Sequence, residues 1–115
     1  MPTMESGRII LAALPQSEGK SKLRPALVLK IMPPYNDLLV CGISTQIHQE
    51  VIGFDEILDS KDNEFLLSGL VQTSLIRLGY LAILPKLVVA GSIGKVSLQR
   101  LKLLKHRLSG FILAD

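Results

Sequence analysis

The run KSKLRPALVL, residues 20–29, sets Arg24 directly before Pro25, where a polar loop meets an apolar stretch. Proline restricts the residue before it to extended backbone angles, so this guanidinium is carried on a fixed anchor. A guanidinium held that way can fork two parallel hydrogen bonds onto a phosphate. A strand-end salt bridge or a solvated arginine would read the same in sequence. A second polar group closes another apolar run: in GISTQIH, residues 42–48, Ser44, Thr45, Gln46 and His48 follow one another at a strand tip. Hydroxyls and an amide there can line a cleft, and they can equally make an ordinary turn. If the two strands are antiparallel neighbours, the start of one lies beside the end of the other, and Arg24 and Thr45 share a rim.

Other chemistries fail on spacing. GSIGKVS, residues 91–97, has its glycines too close together for a phosphate loop, and no Ser or Thr follows Lys95 directly. EGKSK fails in the same way, and no serine lies in a nucleophile elbow. One cysteine, Cys41, and two histidines, His48 and His106, exclude a Cys/His zinc cluster. Cys41 sits in an apolar run and reads as a buried thiol. The acids Asp55, Glu56, Asp59, Asp62 and Glu64 crowd one polar stretch and read as a solvated loop, with a metal- or partner-binding role as the other option. No cofactor and no metal is expected.

The elements that must position these groups are short. Residues 7–14, 25–31 and 38–45 read as strands, with Pro25 first in the second and a turn at MPPYND. Residues 69–84 form one long strand or two joined by a bend at Gly79. SLQRLKLLKHRLSGF spaces Leu98, Leu101, Leu104, Leu108 and Phe111 on a helical period, with Ser97 as N-cap and Gly110 as its stop. The expectation is five to seven strands and one helix, making a small twisted barrel covered by that helix. With 115 residues, 48% of them apolar and only 4% aromatic, the chain fits a single domain over 1–115 with an aliphatic core. A formal charge of +3 permits RNA, DNA or an acidic protein as partner and demands none. MPTMESGRII does not read as a secretory signal. Arg77 and Lys86 interrupt the most apolar region, so a soluble, cytoplasmic protein without membrane association is expected.

Taken in order, GRIILAALP, KLRPALVL, VCGISTQI, SGLVQTSLIRL and VAGSIGKVSLQRL resemble successive segments of the MazF/PemK family of toxin endoribonucleases, across about nine-tenths of the chain. The resemblance implies a mainly β fold, a small SH3-like β-barrel with a C-terminal α-helix, assembled as a homodimer. It implies a toxin of a type II toxin–antitoxin pair that cuts single-stranded messenger RNA at short sequences without a metal, leaving 2′,3′-cyclic phosphate and 5′-hydroxyl ends. A cognate antitoxin would be the protein partner. The family's active-site arginine falls on Arg24 and its threonine on Thr45. Lys20, Lys22, Ser44 and Gln46 would contact RNA, and His48 is a candidate proton acceptor. Gly69, Leu70, Ile76 and Arg77 match positions that support the barrel and dimer. TSLIR departs from the family's Asp/Glu-Gln-Ile-Arg, with Ser74 and Leu75 where an acid and an amide are common. Gyrase-poisoning toxins share the fold and supply the alternative, a non-enzymatic module that binds a protein such as DNA gyrase.

Overall fold

The computed structural model describes residues 4–14 and 22–115. Six strands, β1 (Arg8–Ala13), β2 (Leu23–Met32), β3 (Asp37–Ser44), β4 (Glu56–Leu58), β5 (Ser74–Leu84) and β6 (Val89–Lys95), form one sheet in the order β4-β5-β3-β2-β1-β6, every pair antiparallel. Two helices join them, the single turn α1 (Phe65–Ser68) and the long α2 (Leu98–Leu113). No helix among the described residues is long and apolar enough to cross a membrane.

The closed SH3-like barrel expected from the sequence does not form. The ladder runs out at β4 on one side and β6 on the other, and these edges do not pair. The reason lies in the chain between β4 and β5. β4 is only three residues long, and the chain leaving it folds into α1. The end of that turn presses on β6. A Cβ on Gly69 would collide with the Ile93 carbonyl, and one on Gly94 with the backbone of Leu67 and Ser68. Backbone from α1 thus occupies the flank of β6 that a closing strand would need. Gly69 also carries φ of 73°, the left-handed region that favours glycine, and caps α1.

Helix α2 covers one face of the sheet. Leu101 and Leu104 are buried against Ile9, Leu27, Cys41, Ile43 and Ile76; burial stabilises by about 1.5–3 kcal/mol per leucine. The N-cap is as read from sequence, with the Arg100 N–H donating to Ser97 Oγ at 3.1 Å. The stop is not. Gly110 lies inside the helix, which continues to Leu113, and the Gly110 carbonyl accepts from Ala114 N–H at 3.1 Å. Leu98 and Phe111, expected on the buried stripe, are both 67% exposed, although Phe111 stacks against Phe54 at 4.9 Å between centroids.

Of the five acids expected in a solvated loop only Asp59 is exposed, and the others are drawn into the fold. Arg100 reaches Glu56, Asp62 and Glu64 at 3.1, 2.8 and 3.5 Å, and Arg107 reaches Glu56 at 3.4 Å. Glu64 also accepts from the Ser97 N–H at 3.1 Å and the Ser97 hydroxyl at 3.0 Å. These carboxylates moor α2 to the β4–α1 segment. The shallow recess between Glu56, Glu64, Gln99, Arg100 and Leu103 belongs to this mooring.

Candidate active site

Pro25 shapes the region around Arg24. It stands third in β2, not first, and pairs with Leu11 of β1 while Arg24 pairs with Ala12. On the other side the ladder to β3 stops at Ala26↔Gly42. A proline has no N–H to give a second neighbour, so the missing donor falls where β2 and β3 have ceased to pair. Beyond that pair the two strands run without ladder bonds, and this unpaired end, with Arg24 on β2 and the tip of β3 beside it in sequence register, is termed the notch. Extending the register past Ala26 sets Arg24 level with Ser44 and Leu23 level with Thr45.

The tip of β3 turns on its own hydroxyl. Ser44 Oγ accepts from the Gln46 N–H at 3.0 Å, and the Thr45 carbonyl accepts from the Ile47 N–H at 2.9 Å. A 3-10 turn, Ile47–Gln49, follows and carries His48. Ser44 thus performs the turn chemistry that its composition also allowed. Thr45, Gln46 and His48 are exposed, as are Lys22 and Arg24. Among the described residues the Thr45 hydroxyl makes no hydrogen bond and Arg24 no ion pair. Lys20 lies outside the described residues.

Strand alternation adds a residue whose position sequence alone does not reveal. Cys41, Ile43 and Ile76 point into the helix-covered core, so Gly42, Ser44 and Arg77 face the other way. Arg24 shares that face with Ala26 and Val28, which belong to the second cluster of buried side chains. Gly42 pairs directly with Arg77. A Cβ there would come within 3.3 Å of the Tyr80 ring, so the glycine leaves room for that side chain against the sheet. The Arg77 guanidinium stands 5.8 Å from the ring centroid, close enough for a cation–π contact. Strand spacing and rise put the Cα atoms of Arg24 and Arg77 roughly 12 Å apart, one strand between them. Arg24, Arg77 and the Tyr80 ring thus share one face of the sheet near the end of β3, and Thr45 opens the turn that follows it.

Arg77 reads as a fold-supporting residue in sequence because its face depends on register, and the register of β5 jumps. Its pairing passes from Gly42↔Arg77 to Cys41↔Leu81, leaving residues 78–80 as a bulge around Gly79. The sequence's alternatives of one strand or two with a bend at Gly79 meet in this single bulged strand. Cys41 beneath the bulge is fully buried, and burial, then the charge of Asp55, push its thiol up to about 12.

Comparison with known proteins bears on the family and fold of the chain. A family model described as PemK-like, MazF-like toxin of type II toxin-antitoxin system matches residues 5–112. Among solved structures, the Mycobacterium tuberculosis toxin MazF-mt6 is similar at a TM-score of 0.69 and 20% identity, covering 94% of this chain and 98% of that one. At that identity the likeness bears on the fold. No curated protein matches the sequence.

Proposed function

Because this chain belongs to the PemK-like, MazF-like toxin family of type II toxin–antitoxin systems, a family of endoribonucleases, we propose that the notch between β2 and β3 is where it cuts RNA. The observation that supports this reading is the end of the β2–β3 ladder next to Pro25, with Arg24 and the Ser44–Thr45 tip both in the stretch beyond the last pair.

Each residue has a task set by its chemistry. RNA supplies its own nucleophile, the 2′-hydroxyl beside every phosphate. The oxygen attacks phosphorus, the P–O5′ bond breaks, a proton leaves the 2′-oxygen and another reaches the 5′-oxygen. Negative charge builds on the non-bridging oxygens in between. Arg24 binds those oxygens and stabilises that charge. The Thr45 hydroxyl donates to one of them and fixes its direction. Arg77, held over the Tyr80 ring, supplies a second positive charge from the next strand. Arginine almost never deprotonates, so neither guanidinium serves as the base. His48, exposed three residues beyond Thr45, is assigned the proton acceptor role. Lys22 and Gln46 extend the contact to flanking phosphates, and Lys20 would join them. The products are a 2′,3′-cyclic phosphate and a 5′-hydroxyl.

The protein partners follow from the same surface. The family pairs its toxins with antitoxins, and an acidic, flexible segment can occupy a groove that accepts RNA by presenting the same charge. A homodimer is the assembly we propose. The test is chemical. Long single-stranded RNA, incubated with the protein in a chelator, should yield cyclic phosphate and 5′-hydroxyl ends. A 2′-deoxy substitution at the mapped cut site should abolish that cut. Cleavage that survives the substitution would remove the RNA's hydroxyl from the mechanism and this reading with it.

A further inference from the structure

Asp55 belongs to the acidic stretch, yet its carboxylate is not used by the arginines of α2. It is 4% exposed, and its two oxygens hold two separate parts of the backbone. The Val51 N–H donates to Oδ2 at 3.0 Å and the Leu78 N–H donates to Oδ1 at 3.0 Å. Leu78 lies in the break of the β3–β5 register, one residue beyond Arg77, so the carboxylate replaces the ladder carbonyl that this amide lacks. Val51 ends the segment that begins at Thr45. Ile47 N–H to Thr45, Gln49 N–H to Gln46 and Glu50 N–H to Ile47 tie that segment step by step. Asp55 N–H then donates back to the Val51 carbonyl at 2.9 Å. From the far side, Arg107 Nη1 donates to the Asp55 carbonyl at 2.8 Å. One buried side chain therefore joins the threonine-bearing segment to the arginine-bearing strand, while the Asp55 backbone carbonyl holds the same residue to α2.

We propose that Asp55 is a positioning residue for RNA cleavage, fixing the Thr45 segment against the Arg77 strand; this rests on the reading of Arg24, Thr45 and Arg77 given above. The residue type fits the task. A carboxylate is acceptor-only and can satisfy two N–H donors at once. Asparagine has the same shape but turns an NH2 toward one of them, while leaving the other bond possible. A latch of this kind acts on rate, because a small misplacement of a catalytic group costs far more in the transition state than in binding.

The experiment uses the full chain and a single-stranded RNA whose cut site has been mapped with wild-type protein. Asp55→Asn should lower the single-turnover cleavage rate by about tenfold or more. Its affinity for the same RNA carrying 2′-deoxy at the cut site should stay within about twofold. In a double-mutant cycle the Asp55→Asn loss should shrink in a Thr45→Val background, since the latch acts through the threonine. Val51→Pro removes the same bond from the donor side, and Glu50 already has the extended angles (φ −57°, ψ 130°) that proline requires before it. It keeps the question open to test if Asp55→Asn does not fold. Glu64→Gln loosens the mooring of α2 elsewhere and should cost stability without changing the rate. Fully additive losses in the cycle, or an equal rate loss in Glu64→Gln, would overturn the positioning role. Wild-type cleavage by Arg24→Ala or Thr45→Val would overturn the site reading and this proposal together. Defects in those two beside normal cleavage by Asp55→Asn and Val51→Pro would overturn the proposal alone.

Discussion

Replacing Arg100 by leucine should destabilise the fold without touching the notch. The Arg100 side chain is 11% exposed and its guanidinium stands within 3.5 Å of three carboxylates, on side chains none more than 30% exposed. Leucine fills much of the volume and leaves those carboxylates crowded together without their shared counter-charge. Breaking a buried ion pair from one side costs about 3–5 kcal/mol, chiefly because the remaining charge is stranded. Glu56 keeps Arg107 as a partner at 3.4 Å, so the lower end, about 3 kcal/mol, is expected. Domains of this size have about 5–15 kcal/mol in all, so the loss is large but the chain still folds. Urea unfolding should show the midpoint falling with an unchanged slope. Adding Asp62→Asn and Glu64→Gln to Arg100→Leu should recover part of the loss by removing the stranded charge. A cost below about 1 kcal/mol, the range of exposed ion pairs, would refute the mooring role. Failure of the neutralised variant to recover stability would refute its electrostatic cause.

Gly69→Ala should cost about 2 kcal/mol or more in urea unfolding, because its Cβ meets the Ile93 carbonyl and φ is positive; an effect below about 0.5 kcal/mol would mean that α1 does not press on β6 as described. Cys41 sets an alkaline limit. Its thiol is held near 12 when folded against an ordinary 9.0, so its contribution is present below pH 9 and is lost as pH rises toward 12. Stability should fall by up to about 1.4 kcal/mol per pH unit across that window, and Cys41→Ala should flatten the slope relative to wild type. Ser97→Ala should cost about 1 kcal/mol through the lost N-cap, more if the Glu64 bond goes with it, measured by the same unfolding curves.

What could be read in the chain beforehand was whatever depends on local pattern. The strand after Pro25, the turn at residues 33–36 and the start of α2 at Ser97 each carry their signal within a few residues. Barrel closure is not local. It depends on the meeting of Gly69 with Ile93 and of Gly94 with Leu67, across segments with no shared periodicity. The same holds for the site. Arg24 announces itself through the proline beside it, and Thr45 through the change from apolar to polar. Arg77 is one arginine in an apolar run until the register with Gly42 puts it on the face of Arg24. Asp55 looks like its acidic neighbours, and only the amides of Val51 and Leu78 distinguish it.

The most direct test of the account is single-turnover cleavage of one mapped RNA by wild type, Arg24→Ala and Arg24→Lys, at saturating protein. An arginine that stabilises charge only in the transition state should be worth about 3 kcal/mol, a hundredfold or more in rate. Arg24→Lys should fail nearly as badly, since an ammonium cannot reproduce the planar fork. Both variants should show wild-type unfolding curves, because Arg24 is exposed at the start of β2. Cleavage by Arg24→Ala at the wild-type rate, in a protein that is still folded, would contradict the account at its centre.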